Sequence, residues 1–490
     1  MGSKQLVVEV EEAKIGEDEE APVSPAGQYF NSSSLYVSIL AVFESDVPID
    51  DSQMFPLLDT LLPINPRFSS IMVKNERGVQ QWRRVNVNFA DHVKVPVFPA
   101  GLSPPAYDKV VQDYVSKVGM DRLPESRPLW ELHIIKYPTS HGEGTFMFKL
   151  HHALGDGYSL MSALFSCVKR TDDPSLPLTF PGNSTTAKTV GSGGPGLVSL
   201  AINTVRDFAW GLAKSTFVKD SVSPIRFGMD GVEFRPIEMS FLKFSVDDIR
   251  RVKARIGGTV NDIICGIIFH GIQLYMQSIG DGSKSAQATA LVMLNTRFIH
   301  KSTQATAPVN PKEMNKPDAE FPWGNRVGYL HLSIPTRDCR NKDDPLKFMA
   351  KVNRLMKRKK SSLGVFLTAQ LLETMRRFRG PEQLSYASEL DLVTQVAARH
   401  IHSTLKNTSM AVSNLIGPNE NMSLANHPIR SFHFMVVGVP QSLRITIVSY
   451  MGKLKVAMGT EKGFIDAKLL TTCMEKAFAR IYEAAIEEKP

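Results

Sequence analysis

The sequence predicts a mixed α/β protein (α+β mixed sheets) built in two halves. Three observations carry this expectation. Segments with the two-residue period of strands alternate with segments of helical period through most of the 490 residues. Residues 171–196, rich in Pro, Ser, Thr and Gly, interrupt that alternation and read as a linker. The chain is also long enough for about two domains, each with ample core.

Taken in order, residues 1–30 begin MGSKQLVVEVEEAKIGEDEE. They lack the basic and apolar regions of a secretory signal and read as an acidic, mostly disordered tail. A first domain is expected over 31–180. Its strands are 35–43, 71–74, 82–87, 130–137 and 145–152, and its helices 54–62 and 107–118. Pro63 and Pro66 end the first of these helices. Residues 181–233 link the halves and hold an apolar helix near 196–218. A second domain follows over 234–490. Its expected helices are 246–256, 260–279, 345–360, 365–378, 390–401 and 467–487, and its strands 290–295, 326–334, 408–414, 429–437, 442–450 and 453–458.

Composition narrows the function classes. The formal charge is +8, and the acidic tail leaves the remaining body more basic still. No nucleic-acid motif accompanies that charge, so nucleic acid is not an expected partner. Cys167, Cys265, Cys339 and Cys473 are scattered without ligand spacing, and no metal is expected. Residues 344–360 read as a basic amphipathic helix ending in Lys357 to Lys360, with Arg376, Arg377 and Arg379 nearby in sequence. Three readings stay open for these cations: a solvated helix end, anionic lipid headgroups, or the phosphates of a nucleotide-bearing substrate. In 196–218, Arg206 and Asp207 fall mid-segment, a costly place for charge in a bilayer. An interfacial helix, a packed linker helix and a single membrane span all remain open.

The chemistry concentrates in His151-His152-Ala153-Leu154-Gly155-Asp156-Gly157. A strand leads in, and an apolar helix follows with Asp156 placed as its cap. Adjacent strand residues face opposite ways, so one histidine is a candidate general base and the other packs. Phe146, Phe148 and Leu150 fall on the face of His152, and His151 on the other. Asp156 reads either as the acid of a triad or as a cap and buried ion partner. Gly157 reads as conformational freedom or close packing at the turn.

HHxxxDG resembles the signature of the CoA-dependent acyltransferase superfamily. Pro128-Leu129-Trp130-Glu131, Asn261-Asp262, Trp323-Gly324-Asn325 and Ser413-Asn414-Leu415-Ile416-Gly417-Pro418 are similar, in order, to motifs of the plant-type wax ester synthase/diacylglycerol acyltransferase family. The DFGWG motif of the sister plant alcohol acyltransferases is absent. The resemblance implies two chloramphenicol-acetyltransferase-like domains with an active-site tunnel between them. It makes His152 the base, His151 a support, and Asp156 a structural residue paired with Arg297. Trp130, Asn261, Asp262, Ser413 and Asn414 become candidate substrate contacts, each with a structural alternative as core, cap or turn. It implies acyl-CoA as co-substrate with no bound cofactor, and long-chain alcohols and diacylglycerol as acceptors. The expected location is the cytosolic face of the endoplasmic reticulum, with the plasma membrane as the alternative. A soluble acyltransferase for small alcohols or amines, or a non-catalytic lipid-binding protein on the same scaffold, are the rival readings.

Overall fold

The computed structural model describes residues 21–32, 35–76, 78, 80–180, 197–280, 287–298, 310–316, 318–336, 344–360, 362–365, 367–368 and 399–486. The first half contains α1 (Pro25–Phe30), β1 (Ser38–Ser45), α2 (Met54–Leu61), β2 (Ser70–Lys74), β3 (Gln80–Arg84), α3 (Phe89–His92), β4 (Val93–Lys94), α4 (Pro104–Met120), β5 (Trp130–Ile135), β6 (Gly144–His151), α5 (Gly157–Ser166) and β7 (Val168–Arg170). A linking helix α6 (Leu197–Thr216) follows. The second half contains β8 (Ile237–Ser245), α7 (Val246–Ile256), α8 (Val260–Ser278), β9 (Thr289–Asn295), β10 (Val327–Ser333), α9 (Pro345–Lys360) and β11 (Met410–Ile416). It closes with β12 (Met422–Leu424), β13 (His427–Val437), β14 (Leu443–Tyr450), β15 (Lys453–Glu461) and α10 (Ala467–Ile486).

The described strands form two large sheets and the β2–β3 hairpin. The first sheet runs β4-β5-β6-β1-β13-β12-β7, the second β10-β9-β11-β14-β15-β8. The halves are therefore not separate in the fold. β12 and β13, late in the chain, complete the first sheet beside β1. One apolar core accordingly mixes Phe43, Phe146, Phe148 and Leu160 with Phe432 and Val448. A second core lies under α8, α9 and α10 in the second half.

Local chemistry explains the elements nearest the histidines. Every residue of β6 is buried, as expected for a strand in the interior of its sheet. On its second face Lys149 reaches the end of α4 and donates to the Val118 carbonyl at 2.6 Å, a cation at a helix C-terminus. Gly438 follows β13 in a left-handed conformation (φ +79°), and a Cβ there would lie 1.8 Å from the Tyr36 carbonyl oxygen. Only glycine permits that crossing.

Several expectations change. The tail does not extend to residue 30: Ser24 caps α1, and Phe30 is buried because apolar surface of the first core receives it. β7, β8 and β12 had no counterpart in the sequence reading. Most of the helix expected over 365–378, most of that over 390–401, Arg376, Arg377 and Arg379, and linker residues 181–196 lie outside the described residues. Among those described, no helix is long and apolar enough to cross a membrane. α6 holds three charges, Arg206, Asp207 and Lys214, and the last two turn inward to protein partners, Lys359 of α9 at 2.7 Å and Asp220 respectively. Lys360 pairs with Asp262 at 2.7 Å. The cationic end of α9 is thus largely spent on ion pairs within the fold.

The two sheets are also tied by charge. Lys455 of β15 donates to both carboxylate oxygens of Glu44 on β1, at 2.9 and 3.0 Å, and all three groups of the cluster with His433 are buried. Removing one partner leaves a buried charge uncompensated, at a typical cost of about 3–5 kcal/mol. Lys455→Ala is expected to lose about that much stability in urea unfolding, and Lys455→Met with Glu44→Gln together less than Lys455→Ala alone.

Candidate active site

The backbone first fixes the two histidines. The His151 amide donates outward to Leu129 O at 3.0 Å, and the His152 amide donates the other way to Val37 O at 2.9 Å. Their side chains separate accordingly. His151 is fully buried, lies 4.5 Å ring-to-ring from Tyr36, and accepts from the Ala153 amide at Nδ1, 3.1 Å away. Burial, with His152 beside it, pushes its pKa down to about 3, so it is a neutral packing group.

His152 is held differently. Its Nδ1 lies 2.8 Å from Asn325 Oδ1, while Asn325 Nδ2 donates to the His152 carbonyl at 3.0 Å. The second bond fixes which way the amide points, so Oδ1 must accept and Nδ1 must carry the proton. Nε2 then holds the free lone pair. Burial lowers the pKa of His152 below 6.5, against an opposing pull from Asp156 and the Asn325 hydrogen bond. The ring is neutral at pH 7 and can accept a proton at Nε2.

Asp156 makes its hydrogen bonds elsewhere than to the histidine. Its Oδ1 accepts from the Ser159 amide at 2.9 Å as the cap of α5. Its Oδ2 accepts from Arg297 Nη1 at 2.7 Å and from the Arg326 amide at 2.9 Å. Burial favours protonation of this carboxyl, but Arg297 and the amide donors outweigh it and hold the pKa below the ordinary carboxylate value. The triad-acid alternative therefore gives way to the cap and ion pair. Arg297 also donates from Nη2 to Ser159 Oγ (3.0 Å) and Gly324 O (2.7 Å), and from Nε to Pro322 O (2.8 Å).

Other groups clamp the same turn. Trp323 Nε1 and Arg67 Nη1 both donate to the Leu154 carbonyl, at 2.7 and 3.0 Å. Gly155 is the residue whose missing side chain matters: a Cβ would meet Ser159 Cβ at 3.1 Å and Trp323 Nε1 at 3.3 Å. Gly157 has no such need. Its φ is not positive, and a Cβ would approach only Ile39 Cδ1, at 4.0 Å.

The remaining expected site residues are dispersed. Trp130 is fully buried in the first core, donates to Phe68 O at 2.9 Å and stacks 4.1 Å from His92, so it is placed as core. Asp262 closes a capping box with Thr259 at the start of α8. Asn261 accepts from Asn414 Nδ2 at 2.6 Å, which brings two of the separate motifs together on an exposed edge. Ser413 is half-buried beside them. The structure adds Asn325 as the partner of His152. The WGN segment was its signal in the sequence, although no local pattern there shows which residue touches the histidine.

Two family models cover this arrangement: the wax ester synthase/diacylglycerol acyltransferase catalytic domain matches residues 31–264, and the C-terminal domain of the same family matches 323–482. The chain belongs to the wax ester synthase/diacylglycerol acyltransferase family. It is an acyltransferase of that family. It is 30% identical to the Arabidopsis thaliana wax ester synthase/diacylglycerol acyltransferase 6, over 96% of this chain and 95% of the relative. It is 29% identical to number 4 of the same plant, over 90% and 85%. The solved wax ester synthase/diacylglycerol acyltransferase of Marinobacter aquaeolei VT8 shares its fold, with a TM-score of 0.57, 15% identity, and coverage of 95% of this chain and 99% of that one. The first condensation domain of the CDA synthetase is similar at 0.54, with 13% identity and 94% of each chain covered. These likenesses give the two-domain fold of condensation and chloramphenicol-acetyltransferase-like proteins as the frame of the family site.

The Asn325 contact makes a direct prediction. Asn325→Ala removes the group that fixes the imidazole tautomer. The kcat is expected to fall by about 10–100-fold, with a smaller change in KM, a fraction of the 10²–10⁴ typical of general-base catalysis. Steady-state kinetics beside an unchanged melting curve would check it.

Proposed function

We propose that this chain transfers the acyl group of an acyl-CoA to the hydroxyl of a long-chain alcohol, and to diacylglycerol where that acceptor is available. The observation that carries the reading is the free Nε2 of a neutral, buried His152 whose other nitrogen is held by Asn325. An alcohol hydroxyl placed at Nε2 gives up its proton as its oxygen forms a bond to the thioester carbonyl carbon. The tetrahedral intermediate then breaks its C–S bond, and the imidazolium returns the proton to the departing CoA thiolate. Nothing in this sequence of steps needs a covalent acyl-enzyme or a bound cofactor. His152 acts as base and then acid, while Asp156 and Arg297 hold the turn that presents it.

The reading extends to the membrane surface. The outward side of α6 carries Val198, Ile202, Val205 and Leu212, at 72, 60, 68 and 47% exposure, followed by Phe217 at 86%. Val198, Ile202 and Val205 are four and three residues apart and Leu212 follows two turns later, one stripe of the helix, with Phe217 just past its end. Such a stripe suits insertion at the headgroup–acyl boundary, close to apolar substrates, without a span. The cytosolic surface of the endoplasmic reticulum is the compartment proposed for it.

The first test is neutral-lipid analysis in a host lacking its own acyltransferases and fed a long-chain alcohol. Wax ester is expected from the wild type and none from His152→Ala. Ester from both would remove His152 from the mechanism, and product only with small alcohols would favour the soluble rival. For the purified enzyme, kcat/KM should decline on the acid side as His152 takes up a proton, with a midpoint below 6.5 because burial lowers that pKa, and should level off at higher pH.

The second test is vesicle co-flotation. Ile202→Asp with Val205→Asp is expected to weaken binding to phospholipid vesicles roughly tenfold or more, given about 1.5–3 kcal/mol for burying each such side chain. Turnover of a short, water-soluble acyl-CoA and alcohol should persist. Unchanged flotation would reject α6 as the contact.

A further inference from the structure

The segment before the first strand comes back over the site. Ala21 and Val23 extend the β2–β3 hairpin: the Val23 amide donates to Gln80 O at 2.9 Å, and the Trp82 amide to Ala21 O at 3.0 Å. α1 then passes directly over the turn after the histidines. A Cβ on Gly27 would stand 3.6 Å from the Ala153 carbonyl oxygen. At its far end the Phe30 carbonyl accepts from the Val37 amide at 3.1 Å, next to the Val37 carbonyl that receives the His152 amide. Tyr29, 8% exposed, reaches across to the second half, where its ring meets that of His402 edge-on at 6.2 Å.

This course puts the Phe30 ring 4.6 Å from the His152 ring, tilted by 55°. Phe30 is 6% exposed and His152 is 7% exposed. We propose that Phe30 is a positioning residue for His152: it walls one face of the imidazole, keeps water from that face, and fixes the ring plane while Asn325 holds Nδ1. The proposal rests on His152 being the base. It adds that the base is shaped by a residue about 120 positions earlier that carries no polar group.

The electrostatic surroundings make the idea separable from ordinary packing. Among the described residues, the titratable and charged groups around His152 are His151 beside it and Asp156 at the following turn, with Arg297 paired to Asp156 from the connection after β9 and Arg67 bound to the turn carbonyls. Asn325, from the entry to β10, is neutral. α1 contributes only Tyr29 as a titratable group, because PAGQYF contains no charge. Trimming Phe30 therefore removes no charge near His152. It admits water to a ring whose pKa burial holds down, and the charged imidazolium becomes easier to form.

The test compares kcat/KM against pH for the wild type, Phe30→Ala, Phe30→Val, Val23→Ala and His152→Ala, with a melting curve for each. Val23 is 3% exposed in the same segment and serves as a packing control. Phe30→Ala is expected to move the acid limb upward towards 6.5 and to lower kcat about tenfold, within the range that misplacing a catalytic group produces. Phe30→Val should do the same to a lesser degree, and it carries the test alone if the alanine variant does not fold. Val23→Ala should lower the melting temperature and leave the limb in place. An unmoved limb and wild-type kcat in either Phe30 variant would overturn the proposal. So would a limb that Val23→Ala shifts as far. Activity surviving in His152→Ala would instead remove the reading on which the proposal stands, and the two failures are thereby distinguished.

Discussion

The buried pair of Asp156 and Arg297 is the constraint on which the site depends. It joins a turn in the first half of the chain to the connection after β9 in the second, with both side chains almost wholly out of water. A buried pair of this kind contributes little net stability, because desolvating two charges offsets most of their attraction. Its value here is geometric. Arg297 has donors for Asp156, Ser159 and Gly324 together, and Gly324 precedes Asn325. Fixing the carboxylate therefore fixes the backbone that carries the amide to His152. Trp323 and Arg67 reinforce the same arrangement at the Leu154 carbonyl. Four side chains from three separate stretches converge on a turn of a few residues.

The local part of this was legible in the sequence. A strand followed by a capped helix leaves little freedom for HHALGDG, and two-residue alternation alone separates the two histidines. Phe146 and Phe148 do lie in one core, while Met147 lies on the other side of the sheet. Non-local features were not legible. β13 reads as a strand of the second half, and nothing in its pattern says that it pairs with β1. Asn325 sits in a motif that sequence could notice without knowing its target. Phe30 lay in a segment dominated by its acidic beginning. The glycine of close packing was also misplaced: Gly157 belongs to the visible motif, whereas the need at Gly155 arises from Trp323, about 170 residues away, and from Ser159.

α6 shows the same limit in another form. Read alone, its mid-segment Asp207 and later Lys214 argue against a span, and its apolar residues argue against exposure. The fold turns Asp207 and Lys214 inward. Lys359, itself buried, answers Asp207, and Asp220 answers Lys214 while also accepting from Thr289 and Ser409. Asp207 and Lys214 become the attachment of the helix to the protein, and the apolar stripe remains outside together with Arg206. Amphipathicity predicts a buried face and a wet one, but it does not say which is which when the buried partner is polar.

The same economy governs His152. A carboxylate four residues from an imidazole would ordinarily stabilise its protonated form and, hydrogen-bonded to it, hold it in an ion pair. Asp156 does favour the imidazolium, yet burial prevails and the ring stays neutral. That balance holds because the aspartate is already occupied on both oxygens, by the helix cap and by Arg297 with the Arg326 amide. The tautomer is left to Asn325, a neutral partner that orients the ring without adding a charge. An acid in place of that amide would hold the imidazole equally well in position and would raise its pKa. An amide keeps the orientation and leaves the ring neutral, with the Nε2 lone pair available for the proposed proton transfer. The ion pair and the amide thus divide between them what a triad acid would do alone: one anchors, the other aims.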